Sequence, residues 1–392
     1  MKRLLALLAA VLLLPAAAMA EETPRTLLRM GGSFAFGVDA EGTIWAWGDN
    51  RVGQIGYERR NLIGEPVTGA QGLDGREILD IQCGNENTLF LMQNGDVYAC
   101  GANGHSQLGL ADNTSSSNVP RKIEGLQHIV QIDTGFGQGL ALDSDGHVWG
   151  WGKNSTGQVG NGSRATVKTP VQLPLEGVVQ IGCGGKYSMA LDKDGVIWTW
   201  GENDYGQLGY KTREGWCMTP TAVAIEGFTP VQIAAGGDTA YALDTEGHVW
   251  AWGRNELYQC GTDAVGSTNY DPVRVMIPDE VHVARVIAYS SHTMALADNG
   301  DLWLWGNTDT GQRGVGKKTL KSLPSLVMQD VADAAVGSLA CCLMKTDGSV
   351  WVTGYNKYGQ CGVHYATNRK GILSEWTPNG LNLLESSWAR PE

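Results

Sequence analysis

The 392-residue sequence predicts an all-β fold, a seven-bladed β-propeller of four-stranded blades, and three observations predict it. The stretch Asp192-Lys193-Asp194-Gly195-Val196-Ile197-Trp198-Thr199-Trp200-Gly201 reads as a hairpin, its Asp-Gly turn followed by a β-branched and aromatic strand. It occurs seven times, with turn glycines at Gly42, Gly95, Gly146, Gly195, Gly247, Gly300 and Gly348, spaced 48 to 53 residues apart. A Gly-Gln-x-Gly element follows at Gly53, Gly157, Gly206, Gly311 and Gly359, with Ser106-Gln107-Leu108-Gly109 and Tyr258-Gln259-Cys260-Gly261 in the other two repeats. Self-similarity of this period signals stacked units, none of which can bury its own faces.

Residues 1–20 read as a secretory signal peptide: Lys2 and Arg3, an apolar run from Leu4 to Leu14, then Ala18-Met19-Ala20. The run is too short to span a bilayer, no cysteine stands at the cleavage point, and no later segment resembles a transmembrane helix. The style is bacterial, which implies a secreted or periplasmic product. The remainder, 21–392, is expected to be a single propeller. Its repeat cores are 30–57, 81–110, 132–161, 181–210, 233–262, 286–314 and 334–363, and its closing tail is 364–392. Loss of Lys2 and Arg3 leaves 27 basic against 41 acidic side chains. An acidic exported chain is a poor nucleic-acid binder.

Each repeat reads as four strands: one entering a glycine turn, one leading to Asp-Gly, the Trp-x-Trp-Gly strand, and a proline-bearing outer strand such as Pro170–Leu173. The glycines closing the third strand, Gly48, Gly101, Gly152, Gly201, Gly253, Gly306 and Gly354, are structural. Its first aromatics, Trp45, Tyr98, Trp149, Trp198, Trp250, Trp303 and Trp351, share one face. Smaller residues from Ala46 to Val352 sit opposite, so large side chains of one blade can enter the space left by the next. Burying one tryptophan contributes on the order of 3 kcal/mol. Of the eight cysteines, most stand where other repeats carry apolar or small residues. Cys100 replaces a tryptophan, and Cys260 and Cys361 replace Leu208. An oxidising compartment permits disulfides, but these positions favour small buried hydrophobes.

Asp-Gly-x-Val-Trp-x-Trp-Gly followed by Asn-x-x-Gly-Gln-x-Gly resembles the regulator of chromosome condensation repeat family over about residues 26–363. The resemblance implies a seven-bladed propeller closed by pairing strands from both chain ends, here Arg25–Met30 with Gly371–Thr377. It fixes the fold and not the task. Nucleotide exchange on a nuclear GTPase and chromatin binding, the founding member's roles, do not suit an exported acidic chain. The family's ultraviolet photoreceptors carry Gly-Trp-Arg-His-Thr, where the corresponding tryptophan positions here hold Gly32, Asn85, Phe136, Gly185, Gly237, Ser290 and Ser338. Only His292-Thr293 survives of that motif. Secreted bacterial members, including β-lactamase inhibitory proteins, grip an enzyme with one face of the ring, and this sequence resembles that type.

No catalytic constellation and no cofactor motif emerges. Gly311-Gln312-Arg313-Gly314-Val315-Gly316-Lys317-Lys318 nearly spells a phosphate loop, but Lys318 stands where a hydroxyl must reach magnesium. Gly135–Gly139 is a strand turn rather than a dinucleotide fingerprint. Asp143-Ser144-Asp145-Gly146 is read as a turn because valine and tryptophan follow where calcium ligands would be needed. The seven histidines have no metal spacing.

The two rims differ. The Asp-Gly tips (39–43, 92–96, 143–147, 192–196, 244–248, 297–301, 345–349) hold 12 acidic and 2 basic residues. The loops after Gly-Gln-x-Gly (57–63, 110–119, 161–170, 210–219, 262–271, 315–324, 363–371) hold 11 basic and 5 acidic ones. Aromatic and basic side chains on loops over a rigid frame suit protein binding. The candidate residues are Trp216, Tyr210, Lys211, Arg213, Arg59, Arg60, Lys317, Lys318, Tyr365 and Tyr270, and the expected molecule is a monomeric, non-catalytic binding module. Its partner is an unidentified protein; alternatives are an anionic cell-envelope polymer, or an enzyme with its site at the channel mouth.

Overall fold

The computed structural model describes residues 26–58, 61–264, 266, 268–316, 322–363 and 371–390. The signal-peptide segment lies outside them. Seven antiparallel sheets form from consecutive stretches 27–68, 78–122, 129–172, 178–222, 230–274, 283–328 and 331–388, here blades 1 to 7. Among the described residues the one helical piece is a 3-10 turn at Gly75–Glu77. In blade 4 the four strands are Val178–Cys183, Tyr187–Asp192, Ile197–Glu202 and Trp216–Ala222, paired in sequence order. The other blades repeat this order, and blade 7 adds a short fifth strand at Ser387–Trp388.

The first strand of each blade packs against the first strand of the next, and that of blade 7 (Val331–Val336) packs against that of blade 1 (Leu27–Met30). First strands therefore encircle a central channel, and fourth strands form the outer wall.

Ring closure differs from the sequence expectation. Leu27–Met30 pairs only with the second strand of its own blade, and Ile372–Asn382 pairs within blade 7. Among the described residues no strand is shared between the chain ends. Each blade already has four strands of its own, so its outer edge is complete without a borrowed one. Closure instead rests on packing. Leu28, Met30, Ala35 and Trp47 of blade 1 share one buried cluster with Ala335, Cys342, Val352, Cys361 and Leu373 of blade 7.

Which aromatic fills the core also differs. The second tryptophans, Trp47, Trp151, Trp200, Trp252 and Trp305, are fully buried, whereas the first ones are half-buried. The reason is a blade-to-blade bond. Nε1 of Trp47, Trp151, Trp200, Trp252 and Trp305 donates to the carbonyl of Gln360, Gln107, Gln158, Gln207 and Gln259, respectively, at 2.8–3.0 Å. These glutamines belong to the preceding blade's Gly-Gln-x-Gly element or to its Ser106 and Tyr258 variants. Where tryptophan is missing the donor survives: Cys100 Sγ reaches the Gln54 carbonyl (3.4 Å) and Thr353 Oγ1 the Gly311 carbonyl (2.9 Å). A Cβ at Gly160 would lie 2.7 Å from Trp200 Nε1, so the closing glycine of the element is what lets the indole in.

The glycine ending each third strand is structural as expected. At Gly201 φ is +105° and a Cβ would lie 2.6 Å from backbone, and the other six glycines are alike. All eight cysteines are free thiols, seven buried and Cys217 half-buried.

Candidate functional site: the loop rim and the central channel

Antiparallel pairing puts the glycine turns and the long loops on one rim. The Asp-Gly tips and the connections between blades lie on the other. Both rims are built on local hydrogen bonds. On the loop rim, Asn203 Oδ1 accepts from Leu208 N and Gln207 Oε1 from Tyr205 N, both at 3.0 Å, so Asn-x-x-Gly-Gln-x-Gly is a self-bracing loop base. On the tip rim, Asp192 Oδ1 accepts from Asp194 N and Val196 N while Oδ2 accepts from Trp198 Nε1, all at 2.9 Å. Asp39, Asp143 and Asp244 do the same in their own blades.

That arrangement explains the one group of side chains among the described residues with metal-ligand proximity, Asp143, Asp145 and His147. Asp143 spends both oxygens on backbone and indole N–H groups, which is the chemistry of a turn.

The candidate residues fall into three groups. Arg59, Arg60, Lys317, Lys318 and Tyr365 lie outside the described residues. Tyr210 turns inward: it packs against the core between blades 4 and 5, its hydroxyl donates to the Thr199 carbonyl (3.1 Å), and burial raises its pKa. Of the remaining four, Lys211, Arg213 and Trp216 lie on blade 4 and Tyr270 on blade 5. Lys211 Nζ lies 5.7 Å from the centre of the Tyr270 ring, Arg213 is exposed, and Trp216 opens the outer strand of blade 4.

Trp216 is half-buried because Arg164 of blade 3 lies over its ring, with the guanidinium carbon 4.3 Å from the centroid. Arg164 Nε is held by the Ser155 carbonyl (2.7 Å). Met218, two residues on and so on the same side of the strand, is 37% exposed. Sequence reasoning counted Arg164 among the loop's basic residues without singling it out, because the contact crosses 52 positions and two blades. Similar clasps recur around the rim. Arg254, anchored by Asp238 and Glu256, lies 4.4 Å from the Tyr205 centroid, and Arg51, anchored by Asp49, lies 5.0 Å from that of Tyr358. Such contacts contribute about 0.5–1 kcal/mol each at exposed sites.

Polar side chains of the first strands ring the channel. Arg29 pairs with Asp80 (2.7 Å) and Asp333 (3.7 Å), and Arg285 pairs closely with Asp333. Gln131, Gln180 and Gln232 each exchange two hydrogen bonds with the next blade's backbone. Asp133 accepts from Cys183 N (2.7 Å) and Thr134 N (2.8 Å). Part of Asp133 reaches the channel surface, yet crowding by protein pushes its pKa up to about 7. Toward the loop rim, Phe136 of blade 3 meets Tyr289 of blade 6 across the axis, ring centroids 5.8 Å apart. Blades 3 and 6 are not neighbours, so this pair narrows the channel to a floor.

The repeat geometry is matched by comparison with known proteins. The RCC1-like domain profile matches residues 166–388, and regulator of chromosome condensation (RCC1) repeats match 41–91 and 94–142. The chain belongs to the RCC1 repeat family. Relatives of this RCC1-repeat chain include the ultraviolet-B receptor UVR8 of Arabidopsis thaliana, 29% identical over 80% of the chain and 72% of the receptor. The E3 ubiquitin-protein ligase HERC2 of Homo sapiens is 29% identical over 80% of the chain, which spans only 6% of that ligase. The secretion-regulating guanine nucleotide exchange factor of Mus musculus is 25% identical over 92% of the chain and 71% of the factor. Among solved structures, Prp20p of Saccharomyces cerevisiae superposes with a TM-score of 0.76 at 21% identity, covering 93% of the chain and 90% of Prp20p. That likeness supports the fold. Prp20p was characterised for binding Gsp1p and histones. Among the described residues, no helix is long and apolar enough to cross a membrane.

Proposed function

We propose that this RCC1-repeat propeller is an exported, non-catalytic binding module of the secreted bacterial type, acting in the periplasm or outside the cell, with the loop rim of blades 3 to 5 as its docking face. The observation that carries the reading is the patch formed by Trp216, Met218 and Arg164, with exposed Arg213 on the same loop as Trp216. Aromatic, methionine and arginine side chains are the residue types enriched in protein interfaces, and here they sit on a frame braced by the Asn and Gln loop base. Relatives named as a receptor and an exchange factor point the same way. Lys2, Arg3, the Leu4–Leu14 run and Ala18-Met19-Ala20 support export.

Capture of partners from the organism's own cell-envelope fraction, with wild-type and Trp216→Ala protein side by side, tests the reading. Loss of Trp216 should weaken the captured complex by about 2 kcal/mol or more while the melting temperature stays within a degree or two. A variant that melts early yet keeps its partner would make the loop structural. Capture of acidic wall polymer by both proteins alike would favour the charge-only alternative.

A further inference from the structure

The first strands of blades 2 to 7 each carry a bulge near the end that faces the tip rim. In blade 3, Ile129 pairs with Asp143 and Gln131 with Leu142, leaving Val130 without a partner residue. The same skip leaves Leu79, Val179, Val231, Ala284 and Ala332 in the other five blades. A bulge turns its extra residue out of the ladder. Because first strands line the channel, these six apolar positions surround its mouth: Leu79 and Val179 lean into the cores between blades, and Val130, Val231, Ala284 and Ala332 form the exposed collar. Val130 is 46% and Val231 37% exposed, Ala284 and Ala332 are exposed, and Leu79 and Val179 are half-buried. Below the collar come the belt of Arg29, Asp80 and their neighbours and then the Phe136–Tyr289 floor, so the channel is a cup open at the tip rim.

The surroundings of that mouth are strongly anionic. The Asp-Gly tips and the inter-blade connections (69–77, 123–128, 173–177, 223–229, 275–282, 329–330, 383–390) present fifteen exposed acidic side chains against three exposed basic ones. Of those three, Arg76 is paired with Asp74 and Arg390 with Glu65, leaving Lys193. An apolar collar inside an anionic surround selects by charge complementarity. We propose that the tip rim is a second docking face, which takes a cationic polypeptide segment and seats one of its apolar side chains on the collar. The proposal does not depend on the loop-rim reading, since it concerns the opposite end of the channel.

The probe is a fluorescein-labelled synthetic peptide of lysines with one central phenylalanine, titrated against the full chain by fluorescence anisotropy at low and moderate salt. Binding should weaken as salt rises and weaken about tenfold either when the phenylalanine is replaced by serine or in the double variant Val130→Ser with Val231→Ser. Trp216→Ala should leave it unchanged. A circular dichroism melt checks the double variant, and single Val231→Thr, close to valine in shape, serves if the double does not fold. Absence of binding, or binding indifferent to both the phenylalanine and the valines, overturns the proposal, as does binding lost on Trp216→Ala.

Discussion

Trp47 Nε1 donates to the Gln360 carbonyl at 3.0 Å, so the first and last blades are joined by the same bond that joins blades 3 and 4 through Trp200 and Gln158. Closure should therefore be energetically ordinary. Trp47→Phe leaves the buried Gln360 carbonyl without its indole donor, Trp200→Phe leaves the Gln158 carbonyl only Ser188 Oγ (2.9 Å), and each should cost about 1–3 kcal/mol in urea unfolding. A Trp47→Phe loss several-fold larger than that of Trp200→Phe would show that the seam carries something the inner interfaces lack.

Blade 6 departs from the tip pattern in a way that makes a stabilising change available. Ala297 stands where Asp39, Asp143, Asp192 and Asp244 accept an indole N–H, and Trp303 Nε1 is buried without a partner. Ala297→Asp should restore the bond and stabilise by about 1 kcal/mol, read as a higher urea midpoint. Moderate salt screens repulsion from Asp298 and Asp301. A lower midpoint would mean that the charge outweighs the bond.

The Asp133 carboxyl ties stability to pH. Burial raises its pKa from 3.8 to about 7, so the folded state holds a proton that the unfolded state has released. Stability from this group is full below about pH 4 and is lost as pH rises toward 7. Asp133→Asn should remove that decline between about pH 4 and 7, whatever its effect on absolute stability. His292 acts oppositely: burial lowers its pKa from 6.5 to about 4, so stability is lost as pH falls through that window. An unchanged slope in Asp133→Asn would place the titration elsewhere.

Thiol reactivity should separate one cysteine from seven. Burial raises the pKa of Cys83, Cys100, Cys183, Cys260, Cys341, Cys342 and Cys361. Cys217 is half-buried, and although burial opposes it, hydrogen bonds led by that from Thr221 hold its pKa below the usual value. Titration with a thiol reagent should find one fast thiol in the native protein, abolished by Cys217→Ser, and eight after unfolding. Fewer than eight in the unfolded, unreduced protein would reveal oxidation.

The blades were legible because the features that mark them are local: the Asp-Gly turn and the Asn and Gln loop base both act within about ten residues. The seam was not, since a strand at each chain end looks the same whether it completes its own blade or borrows from the other. Tyr210 and Trp216 looked equivalent in sequence, both aromatic in one loop. Only the contact across blades shows one filling the core and the other lying beneath Arg164. The collar was hidden for a related reason, because Val130 reads as an ordinary strand valine until its register against Leu142 and Asp143 is known.

Each blade is one unbroken run of chain, and both ends of the ring, at Leu27 and beyond Leu383, emerge on the tip rim, where Ala40 N bonds the Leu383 carbonyl at 2.8 Å. The order in which the ribosome delivers the blades is therefore not written into the ring. A chain begun at the connection 173–177, with its old ends joined, would run through blades 4 to 7 and then 1 to 3, and would make every contact that the native chain makes.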